Sequence, residues 1–425
     1  MFSLSLKSLK LVSSQSLAIW FACLLVLPAQ ANELSPENLI QRTIINHPRV
    51  RSAEEVVNAR DQSLAAAKLS RFPALTVDSS YTNLGPTAAI DLQQPIWTAG
   101  SVEANVRRAR FDSFAAKADV ETQRYNLSVS TIDAWEELMQ SLELQQIYRS
   151  SLMELDRFEQ MINRRVESQV SARIELDLIM NRILQTEDAL RTAEQREQIA
   201  LERLAQLVGA PIGDGALASR QSLDPLVSYV KAQSRSLDPL QIATQVQQHP
   251  LVVQSRYQKR AAEESVTVEE ARKWPQLVAR YRHEYIQSIE EDRDTVSVGF
   301  QYAPGAGFSN YALAKAQAAQ ARSLEFDTEA TRRDLVETLL VEYQIMESAI
   351  GRIDALKKAV EGSKVVQDSY ERQYIAGRKQ WLDLLNALLE VQQYGVDLAQ
   401  TKVSMIAGYY RVQLGLGQLT WQQTS

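Results

Sequence analysis

Three histidines, one cysteine and many serines are the side chains of this 425-residue chain that could make or break bonds, and none has the neighbours it would need. His47, His249 and His283 lack HxxxH or HExxH spacing, so no two imidazoles share a helix face as a zinc site requires. No serine sits in a GxSxG elbow, and no GxxxxGK[ST] loop is present to cradle a phosphate. The expectation is a non-enzyme, with no catalytic residue, no metal and no cofactor. His47-Pro48 and His249-Pro250 read instead as loops within longer helices, since a residue before proline is pushed out of the helical region.

The elements that must position the remaining polar groups begin after residue 31. The first 31 residues carry Lys7, Lys10 and no acid, then the apolar Leu17–Leu27 and an Ala29-Gln30-Ala31 end, which reads as a cleavable secretory signal. Cys23 falls inside it. Trp20-Phe21 ahead of Ala22-Cys23 is a poor match to a lipid-anchor site. Of 46 basic residues, loss of Lys7 and Lys10 leaves 44 against 52 acidic, a mature net charge of −8. That balance excludes a nucleic-acid binder, which needs a basic face. Without cysteine the exported chain must be held by packing or assembly.

Glycine (15) and proline (12) are scarce, so long uninterrupted helices are expected. After the signal no apolar run approaches the ~18–20 residues of a spanning helix. A membrane crossing would have to use strands.

The chain is a tandem duplication. His47-Pro48 recurs as His249-Pro250 and RFPAL (71–75) as KWPQL (273–277), both 202 residues on. QPIWTAGS (94–101) corresponds to QYAPGAGFS (301–309), with Gly100 set against Gly307. RVESQVSARIELDL (165–178) corresponds to QYIAGRKQWLDLLN (373–386), so Glu175 meets Asp383 at an offset of 208. The expected organisation is signal 1–31, first repeat 32–209, connector 210–237, second repeat 238–417 and tail 418–425.

Each copy reads helix, strand, strand, very long helix, helix. First helices are expected over 36–71 and 239–273, stopped by Phe72-Pro73 and Trp274-Pro275. Strands are expected over 73–84, 87–97, 275–287 and 294–303. In them Leu75, Val77 and Tyr81, Ile90 and Leu92, Leu277 and Tyr281, and Val296, Val298 and Phe300 alternate with polar residues. Period two with aromatics near the ends fits strands greasy on one face and wet on the other. From 101 to 166 there is no glycine or proline, and apolar residues recur at three- and four-residue steps, predicting a helix roughly 100 Å long. Its counterpart runs over 308–374. Both turn back at short breakers, near Ser168-Gln169 and at Gly377. Two strands are unstable alone and four cannot close a membrane barrel, but four from each of several subunits can. Alternation alone fits two hairpins on a soluble domain equally well.

The duplication, the element order, the F/W-Pro entry to each first strand, the QPIWTAG exit and the YIAGRKQWLDLLNA turn together resemble the TolC-like outer-membrane channel family. The resemblance implies a mainly α fold with a small transmembrane β part: a homotrimer in which the duplicated unit forms a trimeric α-barrel plus a 12-strand β-barrel. It further implies a cell outer membrane location in a Gram-negative bacterium, extending into the periplasm, with outer-membrane lipid around the strands. Partners would be a periplasmic adaptor protein and an inner-membrane ABC exporter or proton-driven pump.

The same resemblance assigns residues. Tyr374 and Lys379 match clamp positions that hold the periplasmic entrance closed, and Asp383 matches the first acid of a constriction ring. Asn386 stands where a second acid often occurs. Glu175 matches an acid that partners the basic clamp residue, and Gln169 replaces the usual turn glycine. Ser168, Gln169, Val170, Ala376, Gly377 and Arg378 would be the adaptor-docking tips. Trp97 and Trp274, at strand–helix junctions, with Tyr81 and Tyr285, would be membrane-interface aromatics. A merely hydrophilic helix turn is the competing reading of Tyr374, Lys379 and Asp383. The tip sequence looks nearest to type I secretion, especially adhesin export. The alternatives are a drug or metal efflux channel and, from another class, a periplasmic coiled-coil adaptor or scaffold.

Overall fold

The computed structural model describes residues 34–82, 85–213, 217, 222–286 and 291–418. The expected signal with Cys23, the turns of both strand hairpins and the tail beyond Gln418 lie outside the described residues. In chain order the elements are α1 (Pro36–Asn46), α2 (Pro48–Leu69), β1 (Ala74–Thr82), β2 (Gly85–Trp97), α3 (Ser101–Glu167), α4 (Arg173–Val208) and α5 (Asp224–Gln233). They continue with α6 (Pro239–Gln245), α7 (Pro250–Ala271), β3 (Gln276–Ile286), β4 (Glu291–Gln301), α8 (Ser309–Ile375) and α9 (Trp381–Gly415).

The first helix of each copy is broken at its His-Pro pair. His47 Nδ1 accepts the Arg49 N–H at 3.2 Å, and Pro48 opens α2 where no donor is needed. His249 Nδ1 accepts the Leu251 N–H at 3.2 Å ahead of Pro250 and α7. An imidazole thus does the work of an N-cap carboxylate in both repeats.

The long helices α3 and α8 are each 67 residues, about 100 Å by the rise of an α-helix. Gly351 and Gly362 are absorbed without a break. A pair of residues with positive φ precedes each helix: Ala99 (50°) and Gly100 (86°), then Gly307 (59°) and Phe308 (61°). Counted from the helix starts, Gly100 stands opposite Phe308, one residue off the expected match with Gly307. The offset is then 208 at both ends, so the two helices are backbone replicas. α3 packs along α2 and α7 towards the strands and along α4 and α9 towards the turns, while α8 packs against α7 and then α9.

The strands form one antiparallel sheet in the order β1-β2-β3-β4, so the two copies meet between β2 and β3. The register aligns Leu75, Leu92, Tyr281 and Val296 in one row and Val77, Ile90, His283 and Asp294 in the next. All these apolar residues are exposed, Val77 and Val296 by more than 70%. On the opposite face Asp91 meets Arg280 at 3.4 Å and Arg282 at 3.9 Å. The alternation in the sequence is therefore a largely greasy face against a wet one, with the polar pair His283–Asp294, 3.0 Å apart, interrupting the greasy face on β3 and β4. Among the described residues, no helix is long and apolar enough to cross a membrane.

Among the described residues, the two largest apolar clusters hold the helices. One lies at their middle, around Leu39, Ile132, Trp135, Leu138, Met346, Ile406 and Tyr410. The other lies at the turn end, where Leu155, Phe158, Ile162, Ile179, Tyr374, Trp381 and Leu384 pack together.

Candidate functional site

The two helical turns are built alike. After α3 the Val170 N–H donates to the Arg165 carbonyl at 2.8 Å, and Gln169 takes φ 59°. After α8 the Arg378 N–H donates to the Gln373 carbonyl at 2.8 Å, and Gly377 takes φ 71°. Both are left-handed C-caps that satisfy the last helical carbonyls. Gln169 thus accepts the conformation that costs glycine least, where a side chain adds strain. Ser168, Gln169, Val170, Ala376, Gly377 and Arg378 are all exposed. At the start of α9, Gln380 and Asp383 form a capping box that fixes the outgoing helix.

A chain of contacts ties one turn to the other. The Tyr374 hydroxyl donates to Glu175 Oε2 at 3.0 Å and lies 3.2 Å from Ser171 Oγ, which accepts from Arg165 Nε at 3.1 Å. The Arg165 guanidinium also stands 4.8 Å over the Tyr374 ring. Trp381 packs edge-on against Phe158 at 5.9 Å and tilted against Tyr374 at 5.7 Å. Tyr374 is 4% exposed, and burial pushes its phenol above the ordinary value, so it remains a neutral donor.

The structure brings Tyr374 and Glu175 together and places Lys379 elsewhere. Lys379 Nζ lies 3.4 Å from Asp383 Oδ2, one turn along, and 4.3 Å over the Tyr370 ring. The expected partnership of Glu175 with a basic clamp residue is thus replaced, within the protomer, by acceptance of the Tyr374 hydroxyl. Asp383 is half-buried and Asn386 exposed on the same helix, three residues apart.

Sequence reasoning missed a second tie between the helix pairs. Arg157 on α3 donates to both oxygens of Glu371 on α8, at 2.5 and 2.8 Å. This two-pronged bond holds the Glu371 carboxyl below its ordinary value. It was invisible because opposite charges 214 residues apart pair only once the 208-residue repeat offset is known in space. Also missed was Arg411 on α9, which bonds Asp133 at 2.7 Å and Glu136 at 2.5 Å on α3 and faces Glu342 on α8 at 3.5 Å. Burial pushes the Glu342 carboxyl up. Its sequence signal is a single charge within the otherwise apolar or neutral stretch 403–416.

At the other end, Trp97 and Trp274 are exposed where the strands meet the helices, while Tyr81 and Tyr285 are exposed near the far end of the sheet. The greasy face is therefore bounded by aromatics above and below, as a bilayer-spanning band would be.

Residues 39–210 match the family described as outer membrane efflux protein, a span that coincides with the first repeat. No curated protein matches the chain in sequence. Among solved structures, the outer-membrane channel OprN is 17% identical, with a TM-score of 0.76 over 91% of this chain and 90% of its own. VceC from Vibrio cholerae is 16% identical, with a TM-score of 0.75 over 90% and 96%. The open state of the Neisseria gonorrhoeae MtrE channel is 12% identical, with a TM-score of 0.70 over 90% and 88%. At these identities the likeness is one of fold, and it includes both repeats.

Proposed function

With residues 39–210 in the outer membrane efflux protein family and the TolC-like channel fold running through both repeats, we propose that this chain is the outer-membrane exit duct of a tripartite export system. It sits in the outer membrane of a Gram-negative envelope and reaches into the periplasm as a passive, non-enzymatic conduit. The observation that carries the reading is the four-stranded sheet: one apolar face, one wet face, and no strand partner for the outer edges of β1 and β4 among the described residues. Lipid does not tolerate open edges, and three copies supply twelve strands that close them.

The entrance lies at the opposite end. Tyr374, Glu175, Lys379 and Asp383, with Asn386 beside them, form the constriction, and the arrangement with α8 and α9 tied to α3 and α4 is its closed state. Threefold repetition of Asp383 concentrates negative potential in a narrow lumen. An adaptor docking on the exposed turns at Ser168–Val170 and Ala376–Arg378 pulls the pairs apart and opens it.

Type I secretion of an adhesin-like protein is the proposed cargo route, supported by the turn sequence Gly377–Ala387. Small-molecule efflux is the second reading, supported by the description of the family that the first repeat matches. In planar bilayers the purified protein gives channel steps, and in mild detergent it migrates as a trimer. A monomer that never conducts overturns the proposal. Deleting the gene separates the two cargo readings: loss of a large surface protein with unchanged drug tolerance supports secretion, and the reverse supports efflux.

A further inference from the structure

Midway along the helices, three carboxylates converge on one guanidinium. Arg411 on α9 bonds Asp133 at 2.7 Å and Glu136 at 2.5 Å, both on α3. Glu136 is also held by the Ser404 hydroxyl at 2.9 Å and the Gln140 amide at 3.1 Å. Glu342 on α8 is left without such support. Its Oε2 stands 3.5 Å from Arg411, is closed off from solvent and accepts no hydrogen bond. Gly408 of α9 faces it without a side chain: a Cβ there would lie 3.4 Å from the Glu342 carbonyl oxygen and 3.6 Å from Oε2. The oxygen is enclosed by its own chain, so a further copy packed outside adds burial and brings it no donor.

The charged and titratable groups around Glu342 are Arg411 on α9, Asp133, Glu136 and Tyr125 on α3 and, beyond Tyr125, His249 at the start of α7. Glu347 on α8 and Asp238 ahead of α6 act on the adjoining Tyr343. Arg411 is thus outnumbered by Asp133 and Glu136 before Glu342 is counted. We propose that Glu342 is a proton-binding site that sets how firmly α8 is seated on α3 and α9: firm while the carboxyl carries its proton, looser once it has lost it.

An ionised carboxylate that lacks a donor is costly to bury, whereas the neutral acid is far less so. Burial favours the protonated form here, against the pull of Arg411, and the two neighbouring acids reinforce it. The proton is therefore held more tightly in the folded chain than in the unfolded one. Its contribution to stability is complete below the ordinary glutamate value near 4.5 and is lost as pH rises through the higher folded value. Arg411 stays bonded to α3 in either state, so the change falls on α8. The inference goes beyond the duct reading and does not need it, since the site is internal to one chain. On that reading, the pH of the surrounding compartment sets the grip on the shaft midway between sheet and turns.

The test compares the full-length protein in mild detergent with Glu342→Gln, which keeps the shape and is neutral at every pH. At pH 4 the two should unfold at the same temperature. At pH 8 Glu342→Gln should unfold about 2 °C higher. His249 titrates in both proteins and cancels in the difference. Infrared spectra between these limits should show a protonated-carboxyl band above the ordinary glutamate range that Glu342→Gln lacks. Hydrogen exchange of the α8 amides at 339–346 should match in the two proteins at pH 4 and be several-fold faster in the parent at pH 8. Asp133→Asn, which removes a rival for Arg411, should move the loss to lower pH, and it reports on the same carboxyl if Glu342→Gln fails to fold. A Glu342→Gln protein that unfolds below the parent at pH 8, or a loss that Asp133→Asn does not move, makes Glu342 an ordinary ion-pair partner of Arg411 and overturns the proposal. A protein that gives these results but forms no channel removes the duct reading and leaves the proton site standing.

Discussion

At the first turn, Gln169 takes the left-handed position and is followed by Ser171, Arg173 and Glu175; at the second, Gly377 takes it and is followed by Lys379, Trp381 and Asp383. The closing backbone bond has the same 2.8 Å length at both turns, and the first adds a bond from the Ser171 N–H to the Arg165 carbonyl at 3.2 Å. The side chains have parted company. In the first repeat the turn is a socket of polar acceptors and arginine that receives Tyr374 of the second, while Trp381 behind it packs on Phe158 in the apolar core. Duplication preserved the C-cap because it is dictated by helix ends, and left the side chains free to become complementary. The same holds for the His-Pro breaks. His47 is part-exposed, whereas His249 is 3% exposed against Tyr125, with its Nδ1 capping and its Nε2 without a partner.

The sharpest way to break this comparison is to truncate equivalent residues. Trp381→Ala should cost about 3–5 kcal/mol, the range for emptying a buried aromatic site. Arg173→Ala, 208 residues earlier and exposed, should stay within about 0.5 kcal/mol. Protease nicking at the two turns, followed against denaturant, reads both; equal sensitivity would dissolve the socket-and-plug distinction.

The histidines give the next largest contrast. Burial lowers the His249 pKa to about 4, so the folded chain favours the neutral ring. That stability is present above the ordinary histidine value near 6.5 and is lost as pH falls from there through 4, amounting to up to about 3 kcal/mol. Protonation also removes the Nδ1 acceptor that caps α7. His249→Asn, which retains a capping oxygen, should flatten the loss between pH 6.5 and 4, while His47→Asn should leave it in place. Hydrogen exchange of the α7 amides across that pH range is the measurement.

Tyr374→Phe should destabilise the tie between the turns by about 1–2 kcal/mol, since Glu175 loses its donor in a half-buried site. Valine 166 occupies the equivalent place in the first repeat and makes no such bond, so Val166→Ala should leave channel opening unchanged while Tyr374→Phe raises it. The smallest effect concerns the backbone. Gln169→Gly should stabilise the first turn by about 0.5–1 kcal/mol, and Gly377→Ala should weaken the second by a similar amount. Slower and faster proteolysis at the respective turns would show this.

Much of the fold was legible because it is periodic. The alternation of Leu75, Val77 and Tyr81 or of Val296, Val298 and Phe300 fixes which side of a strand is greasy, and the register confirms those residues on one face. The helical stretches were legible from the absence of breakers between 101 and 166. The one-residue slip at Gly100 arose because glycine was used as the marker, whereas the backbone needs two consecutive positive φ angles and places glycine first in one copy and second in the other. At the turn end, Tyr374 and Glu175 could be singled out from the turn sequence, and the two side chains meet. Arg157, Glu371 and Arg165 could not, because their partners are set by how one hairpin leans on another. Lys379 shows the same ambiguity: the sequence offers Asp383 four residues away as readily as Glu175 in the other copy, and within the protomer the packing sets it beside Asp383.

The seam between β2 and β3 joins residues nearly 200 positions apart, Ala88 to Tyr285 and Leu92 to Tyr281. Until the second copy arrives, the first can offer only a two-stranded ribbon, which has no independent stability. On the proposed duct reading, entry into lipid follows completion of the polypeptide. A chain interrupted after its first half would carry a helical shaft and an uncommitted hairpin, with nothing to keep it in any bilayer it meets on the way. On that reading the topology ties insertion to the presence of both repeats.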